Sequence, residues 1–221
     1  MTEEYEAVVF DNDGVIVEPT ARERLVGAVR EAFREFGHDP PREAVERAVA
    51  TGAGPEDTVG DREIDTGAFW QRREASAAAA QKAAIREGEK TLYRDVDALS
   101  RLDARLGLVS NNQAETVAFI VDYFGLDRFE TVYGRDPSVA GVERKKPDPY
   151  YLEQALDDLG TDRALYVGDS ETDIVAADRA GVDSAFLRRP HRAEAELRVD
   201  PTYEVSDLRA LVDTVRSPPP E

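Results

Sequence analysis

The first hydrophobic stretch of the chain ends abruptly at two carboxylates. Residues 8–10 are Val, Val and Phe, and Asp11, Asn12, Asp13 and Gly14 follow directly. A β-branched and aromatic run bounded by Asp, Asn and Gly predicts a buried strand. Because side chains alternate along an extended chain, Asp11 and Asp13 can face one pocket while Asn12 points elsewhere. The pattern indicates either a functional site at the end of a strand or an acidic turn that only ends it.

Helical periodicity dominates the chain after this strand. Apolar residues at helix spacing predict a helix from Pro19 to about Phe36, a second from Pro40 to Val49 and a long third from Thr66 to Leu92. This is far more chain than an ordinary crossover between parallel strands needs. We therefore expect a small all-helical cap domain, residues 18–92, inserted after the first strand.

Strands and helices alternate beyond this segment, which predicts an α/β core. A short helix is expected near residues 95–102. The predicted strands cover residues 105–109, 131–133, 164–167, 184–187 and 203–205, and the predicted helices cover 113–124, 149–159, the stretch that ends at 180, and 206–215. The expected fold class is α/β, a Rossmann-like parallel sheet flanked by helices, with residues 1–17 and 93–221 as its core domain. The proline-rich tail at residues 217–221 is expected to be frayed.

Polar residues follow three of the predicted strands. Ligands of open α/β sheets bind beyond the carboxyl ends of the strands, so we expect these residues to meet at one edge. The first strand ends at Asp11 and Asp13, the second at Ser110 and Asn111, and the fourth at Asp169 and Asp173.

Two adjacent lysines lie between the third strand and the next helix. Lys145 and Lys146 directly precede Pro147-Asp148-Pro149, in a chain with only four lysines among 28 basic residues. The prolines are expected to hold this segment in an extended shape. One of the two lysines is expected to point into the site.

The chemistry of these groups suits phosphoryl transfer, which needs a nucleophile, charge neutralisation and a positioned proton donor. Asp11 can be the nucleophile, because a carboxylate can form an aspartyl phosphate. Asp169, with Asp11 and a backbone carbonyl, offers the oxygen ligands that Mg²⁺ prefers. Asp13 is then free to protonate the leaving oxygen and later to activate water. Ser110 and the amides after it can hold phosphoryl oxygens, whose charge Lys146 offsets.

Four motifs in this order resemble those of the haloacid dehalogenase-like superfamily, in the subfamily whose helical cap follows the first strand. They are Phe10-Asp11-Asn12-Asp13-Gly14-Val15, Val109-Ser110-Asn111, Lys146-Pro147-Asp148-Pro149 and Gly168-Asp169-Ser170-Glu171-Thr172-Asp173. The likeness covers residues 5 to about 190 and points to phosphoglycolate phosphatase-like members. Asn12 departs from the apolar residue that is usual at its position.

The resemblance implies a role for each matching residue. Asp11 is implied as nucleophile and Asp13 as general acid and base. The implied phosphate-binding residues are Ser110, Asn111 and Lys146, the implied metal positions are Asp11, Asp13 and Asp169, and Asp173 and Gly14 are implied as supporting residues. Asp173 would orient the lysine or a metal-bound water, although it could be only a carboxylate favoured in the first turn of a helix. Ser110 could likewise only cap the next helix.

We therefore expect a Mg²⁺-dependent phosphatase that hydrolyses a small phosphomonoester, such as phosphoglycolate or a sugar phosphate, through an aspartyl phosphate. A phosphomutase would use the same motifs, whereas a non-catalytic regulator on this fold would be expected to lack one. Dehalogenation has no leaving alkoxide to protonate, so Asp13 favours phosphate esters. A phosphonate-cleaving relative would need a buried cap lysine, and neither Lys82 nor Lys90 lies in a context that suggests burial. Asp95 and Asp97 are expected to lie in a surface turn.

The composition limits the partners of the chain. With 46 acidic and 28 basic residues the formal net charge is -18, which argues against nucleic acid and anionic membranes as partners. Dispersed acidity with few lysines suggests a salt-adapted, halophilic protein. The absence of cysteine excludes a disulfide framework and a thiolate site. No long apolar run or signal-peptide pattern occurs, so we expect a cytoplasmic monomer or homodimer that acts on a small-molecule phosphate ester.

Overall fold

The computed structural model describes residues 5–60 and 64–216. The tail that was expected to be frayed lies outside the described residues. In the described part of the chain, no helix is both long and apolar enough to cross a bilayer.

Six strands in the described residues form a single parallel sheet. They are β1 (Ala7–Phe10), β2 (Arg105–Gln113), β3 (Phe129–Arg135), β4 (Ala164–Gly168), β5 (Asp183–Leu187) and β6 (Tyr203–Val205). All pairs are parallel, and the order across the sheet is β3-β2-β1-β4-β5-β6. The predicted α/β class with a parallel sheet is confirmed.

Helices connect these strands and fill the long segment after β1. That segment holds α1 (Arg22–Glu35), α2 (Arg42–Thr51), α3 (Pro55–Val59) and α4 (Thr66–Arg86). The later helices are α5 (Ala114–Phe124), α6 (Val139–Glu143), α7 (Tyr150–Leu159), α8 (Glu171–Ala180) and α9 (Leu208–Arg216), with 3-10 helices at Val96–Arg101 and Pro190–Arg192. Helices α5, α7 and α8 end at glycines, as their sequences predicted.

Strand β1 lies at the centre of the sheet, and its register decides what meets at the carboxyl edge. Phe10, its last residue, pairs with Leu108 of β2 and with Val167 of β4. The residues that directly follow these three positions therefore lie at one edge of the sheet. This register brings three of the sequence motifs together.

One face of the sheet is covered by α7 and α8. Val9 of β1 and Tyr166 of β4 pack in one buried cluster with Leu152 and Leu159 of α7 and Ala177 of α8. Each buried side chain of the size of Val or Leu contributes roughly 1.5–3 kcal/mol. This layer supports the strands whose ends carry the polar motifs.

The helical segment has a core of its own. Phe33 of α1, Val45 of α2 and Phe69 of α4 are fully buried in one cluster, and the Phe33 and Phe69 ring centroids lie 4.5 Å apart. Helix α4 begins where the Asp65 carboxylate accepts the Ala68 N–H at 2.9 Å, which satisfies one otherwise unpaired donor of the first turn.

The described chain divides into two compact units. The sheet unit takes in the described residues of Met1–Glu18, Thr91–Arg135 and Glu143–Glu221, and the helical unit those of Pro19–Lys90 and Asp136–Val142. The second stretch of the helical unit had no counterpart in the sequence analysis. The assignment of residues 18–92 to a cap domain, with residues 1–17 and 93–221 as core, stays a prediction.

Helix α4 is shorter than predicted, and this difference buries a lysine. The helix ends at Arg86 rather than near Leu92, and the Lys90 N–H returns to the Ala84 carbonyl at 3.3 Å. Lys90 is therefore fully buried, and its ammonium donates to Thr20 Oγ1 at 3.0 Å and to Gln81 Oε1 at 3.3 Å. The expectation that Lys90 is not buried was wrong, because it assumed a continuous helix.

Other local differences have simple causes. Helices α3 and α6 have five residues each and were not predicted, because so short a helix shows too little periodicity. Strand β2 runs to Gln113 rather than Val109, with an irregular register after Ser110. Asp95 is buried at 4% exposure rather than lying in a surface turn.

Candidate active site

Two aspartates lie side by side at the carboxyl ends of the central strands. Asp11 follows β1 and Asp169 follows β4, and the Asp11 N–H donates to the Val167 carbonyl at 2.8 Å. Both side chains are buried. One oxygen of each of Asp11, Asp169 and Asp173 lies within 4.8 Å of the others. The sheet thus brings together three carboxylates from two distant motifs.

Lys146 places its ammonium among these carboxylates. Its Nζ lies 2.7 Å from Asp11 Oδ1 and 2.7 Å from Asp173 Oδ1. The same nitrogen donates to Tyr166 Oη at 2.6 Å and to the Val109 carbonyl at 3.1 Å. The lysine is 4% exposed, so protein groups rather than water stabilise its charge.

The segment around Lys146 turns rather than extending as predicted. The Lys146–Pro147 peptide is cis, and the Asp148 N–H donates to the Lys145 carbonyl at 3.0 Å. Asn111 holds the turn from the end of β2. Its Oδ1 accepts the Lys146 N–H at 2.7 Å and its Nδ2 donates to the Lys146 carbonyl at 3.1 Å. The Asn111 side chain thus positions the backbone of the lysine.

Burial controls the charge state of the site. Loss of solvent raises the pKa of Asp11 to about 8, and the charges of Asp173 and Asp169 add to the rise against the opposing effect of Lys146. For Lys146, burial acts to lower the pKa, but Asp11 and Asp173 outweigh it and hold the pKa well above its usual value. A buried, oxygen-rich group with more carboxylates than ammonium groups fits a hard divalent cation.

Asp173 performs two structural tasks at once. Its Oδ2 accepts the Ser170 N–H at 3.0 Å and the Ser170 hydroxyl at 2.5 Å, at the start of α8. Its Oδ1 forms the ion pair with Lys146. The two interpretations that the sequence left open, a first-turn helix carboxylate and a group that orients the lysine, therefore both describe its contacts.

Asp13 lies apart from the carboxylate group. It is half-buried, and its Oδ2 accepts from Asn112 Nδ2 at 2.9 Å and from Asn12 Nδ2 at 3.3 Å. The three-carboxylate group found in the described residues does not include it. Asn112, which the sequence analysis did not single out, thus holds the predicted acid and base from the end of β2.

Gly14 lies where a side chain would meet Asp169. Its φ is +88°, and a Cβ built on it would lie 2.3 Å from Asp169 Oδ2. Glycine is the residue that adopts this conformation without strain and leaves room for the carboxylate.

Ser110 is buried at 2% exposure, and its Oγ accepts the Asn112 N–H at 3.1 Å. Helix α5 begins at Ala114, with Gln113 at its N-cap, so Ser110 does not cap that helix. The hydroxyl therefore shapes the backbone at the end of β2, beside the Val109 carbonyl that contacts Lys146.

Besides Asn112, three further residues at the site were not found from the sequence. Tyr166 reads as an ordinary apolar strand residue, although its hydroxyl contacts Lys146. His191 Nε2 lies 2.6 Å from Asp169 Oδ2, and Arg192 Nε donates to the same oxygen at 3.2 Å. The chain has two histidines, so the rarity of histidine was the one sequence signal that could have drawn attention to His191.

The model of one protein family matches most of the chain. The family is described as haloacid dehalogenase-like hydrolase, and the match covers residues 5–181. That range contains all four motifs and the residues that meet at the carboxyl edge of the sheet.

Individual relatives match along nearly the whole chain. A pyrophosphatase PpaX of Halalkalibacterium halodurans is 27% identical over 96% of this chain and 97% of its own length. A phosphoglycolate phosphatase 1 of Pseudomonas aeruginosa is 30% identical over 93% of this chain and 78% of its own. Among solved structures, a putative phosphoglycolate phosphatase from Lactobacillus plantarum superposes with a TM-score of 0.70 at 19% identity, covering 96% of this chain and 99% of that one.

Proposed function

Because the chain belongs to the haloacid dehalogenase-like hydrolases, as its motifs predicted, we propose that it is a Mg²⁺-dependent phosphatase acting on a small phosphomonoester through an aspartyl phosphate on Asp11. One observation carries the proposal: the Lys146 ammonium lies 2.7 Å from Asp11 Oδ1, in a buried group with Asp169 and Asp173. Relatives named phosphoglycolate phosphatase and pyrophosphatase support hydrolysis of a phosphoryl bond. Phosphoglycolate or a sugar phosphate is the proposed substrate.

In the first step a carboxylate oxygen of Asp11 attacks phosphorus and the bond from phosphorus to the leaving oxygen breaks. Asp13 donates its proton to that oxygen, so an alcohol leaves. Lys146, held by Asp173 and Tyr166, offsets negative charge on the phosphoryl oxygens. The products of the step are the free alcohol and the aspartyl phosphate.

In the second step Asp13, now a carboxylate, takes a proton from water, and the water oxygen attacks phosphorus. The bond between phosphorus and the Asp11 oxygen breaks, which releases inorganic phosphate and restores both carboxyl groups. Asn112 Nδ2 donates to Asp13 Oδ2 at 2.9 Å and so fixes the orientation of the Asp13 carboxyl group. Because Asp13 lies outside the three-carboxylate group, it can exchange a proton while Asp11 and Asp169 serve other roles.

Asp11, Asp13 and Asp169 would hold the cation, with Asp13 contributing its backbone carbonyl because its carboxylate exchanges the proton. When bound, Mg²⁺ would neutralise charge on the phosphate and keep Asp11 ionised. Ser110 would bind a phosphoryl oxygen through its hydroxyl. Asn111 would contribute through its backbone amide and through the placement of Lys146, because its side chain is already bonded to the backbone of that lysine.

Lys90 keeps one competing activity open. A phosphonate-cleaving enzyme of this superfamily needs a buried cap lysine that forms a Schiff base, and Lys90 is fully buried in the helical unit. Its ammonium is bonded to Thr20 and Gln81. If such a Schiff base forms, borohydride should inactivate the enzyme in the presence of phosphonoacetaldehyde as substrate. We expect no inactivation.

Metal dependence tests the proposed function. One lysine ammonium cannot balance three buried carboxylates and a phosphate dianion without a divalent cation, so EDTA should abolish hydrolysis of p-nitrophenyl phosphate and Mg²⁺ should restore it. Asp169→Asn should remain inactive at every Mg²⁺ concentration, whereas Asp97→Asn, at a side chain that is 73% exposed, should behave as wild type. Full activity in EDTA would contradict the metal assignment. With a sugar phosphate as substrate, formation of an isomeric sugar phosphate without release of free phosphate would indicate a phosphomutase.

A further inference from the structure

The turn after β5 carries two side chains that hold Asp169. His191 Nε2 lies 2.6 Å from Asp169 Oδ2, and Arg192 Nε donates to the same oxygen at 3.2 Å. Both of these contacts are to Oδ2 rather than to Oδ1. Two donors on one oxygen fix the rotation of the carboxylate and leave its second oxygen for a cation.

The second nitrogen of the imidazole indicates which way the hydrogen bond runs. The Tyr93 hydroxyl lies 3.4 Å from His191 Nδ1 and can donate to it. A neutral ring that accepts at Nδ1 carries its proton on Nε2. His191 is then the donor and Asp169 the acceptor, so the ring can hold the carboxylate in one orientation.

The turn is anchored by a buried ion pair. Arg189 is 5% exposed, and its Nη1 and Nη2 donate to the two oxygens of Asp95 at 2.8 and 3.0 Å. Nη2 also donates to the Val15 carbonyl at 2.9 Å, and the Arg192 N–H donates to the Arg189 carbonyl at 2.7 Å. The backbone that carries His191 is thus tied to the loop that follows Asp11.

Gly14 also lies beside Oδ2 of Asp169. A Cβ at Gly14 would lie 2.3 Å from Asp169 Oδ2 and 3.1 Å from His191 Nε2. The Gly14 backbone and the imidazole therefore lie beside the same oxygen, and together they restrict how the carboxylate can rotate.

We propose that His191 is a positioning residue for the metal site, which sets the affinity for the divalent cation by holding Asp169 in its binding orientation. The inference rests on the proposed function, because it requires a cation bound by Asp169. The turn after β5 is thus a working part of the site, although no sequence motif marks it.

The size of the effect follows from the role. Loss of a hydrogen-bond partner behind a metal ligand typically costs 10–100-fold in metal affinity. His191→Ala should therefore weaken cation binding by roughly 10–100-fold. His191→Gln should retain most of the affinity, because a glutamine amide can donate from nearly the same place.

Direct binding of Mn²⁺ to the metal-free protein, measured by isothermal titration calorimetry without substrate, tests the proposal. The proteins compared are wild type, His191→Ala, His191→Gln and His38→Ala, the last as a matched control in the helical unit. Equal melting temperatures without metal would show that folding is retained. In NMR spectra of wild type, Mg²⁺ should shift the ring nitrogen signals of His191 and leave those of His38 in place.

Each result has a distinct meaning. Weaker binding in His191→Ala, with rescue in His191→Gln and no change in His38→Ala, supports the proposal. Unchanged or tighter binding in His191→Ala overturns it, since the ring would then be dispensable or would compete with the cation. A wild-type protein that binds no Mn²⁺ overturns the metal assignment of the proposed function together with this inference.

Discussion

A buried ammonium needs partners on several sides, and the residues around Lys146 supply them. Its Nζ reaches the carboxylates of Asp11 and Asp173 and the hydroxyl of Tyr166. Removing one partner of a buried ion pair leaves an uncompensated charge, which costs about 3–5 kcal/mol. The residues assigned to the chemistry therefore also stabilise this part of the core. Each variant of them needs a measurement of its folding stability in addition to its kinetics.

A trapping experiment should distinguish the roles of Asp11 and Asp13, the two aspartates of the first motif. Asp11→Asn removes the nucleophile, so no phosphoenzyme should form. Asp13→Asn leaves the nucleophile intact, so a substrate with a good leaving group should still phosphorylate Asp11, while hydrolysis of the intermediate slows by about 10²–10⁴-fold. Mass spectrometry after brief incubation should show a phosphate adduct on the Asp13 variant alone. An adduct on the Asp11 variant would mean that the roles are exchanged.

Gly14 and Gly88 form a matched pair for measuring the space beside Asp169. Both have positive φ, +88° and +74°, but a Cβ at Gly88 meets nothing within 4 Å whereas one at Gly14 meets Asp169. Alanine at either position should pay roughly 1–2 kcal/mol for the left-handed backbone. Gly14→Ala should in addition lower kcat for p-nitrophenyl phosphate by at least about tenfold, since a displacement near 1 Å at a catalytic group has effects of that order or larger. Urea unfolding and steady-state kinetics measure the two effects, and equal kcat values in both variants would contradict the close approach.

At the scale of elements, one carboxylate joins three parts of the sheet unit. Asp95 precedes the 3-10 helix at Val96–Arg101, accepts the Leu208 N–H at the start of α9 at 2.8 Å, and pairs with Arg189 after β5. Burial acts to raise the pKa of Asp95, but the hydrogen bonds from Arg189 and Leu208 outweigh it and lower the pKa below its usual 3.8. The ion pair therefore connects elements that share no strand pairing.

Asp95→Asn should be strongly destabilising at neutral pH, by about 3–5 kcal/mol, because Arg189 would stay buried without its counter-charge. A carboxyl whose pKa is lowered by folding contributes stability above its unfolded pKa and loses it as the pH falls through the folded pKa. The difference in unfolding free energy between wild type and variant should thus be constant above about pH 5 and shrink below pH 3.8. Urea unfolding over this range measures it. Asp97→Asn, at an exposed side chain, is the control, and a difference independent of pH would contradict the ionic role.

At the scale of the whole molecule, negative charge exceeds what ion pairing can neutralise. The chain has 46 acidic and 28 basic residues, so even complete pairing would leave a formal charge of -18. Several surface pairs occur among the described residues, such as Arg24 with Glu87 and Glu89, but exposed pairs of this kind contribute only about 0–1 kcal/mol each. The unpaired carboxylates repel one another, and this repulsion destabilises the compact state at low salt.

The melting temperature should therefore rise with KCl. Screening shortens the Debye length from about 30 Å at 0.01 M to 3 Å at 1 M, so most of the rise should come below a few hundred millimolar. Differential scanning fluorimetry across this range measures it, and sucrose at equal osmolality is the control for non-ionic effects. A flat or falling curve would contradict the salt-adapted hypothesis and favour an ordinary acidic protein.

The sequence by itself determined the local features of this protein. The apolar run before Asp11, the helix spacing after Pro19 and the glycines after α5, α7 and α8 each act within a few residues, so periodicity and turn chemistry were sufficient to predict them. The alternation of strands and helices fixed the α/β class, and the carboxyl ends of parallel strands gave the expected meeting place of the motifs.

The tertiary structure alone decided which groups touch. His191 reaches Asp169 only because β5 lies beside β4, and Arg189 reaches Asp95, 94 residues away, only because the turn after β5 packs beside the 3-10 helix. In the sequence Tyr166 is indistinguishable from an apolar core residue, and only the fold shows that its hydroxyl contacts Lys146. Likewise, Lys90 is buried because α4 ends at Arg86, before the predicted end of the helix. Residue patterns report local conformation, whereas a contact between distant residues depends on strand order and register, which no short segment encodes.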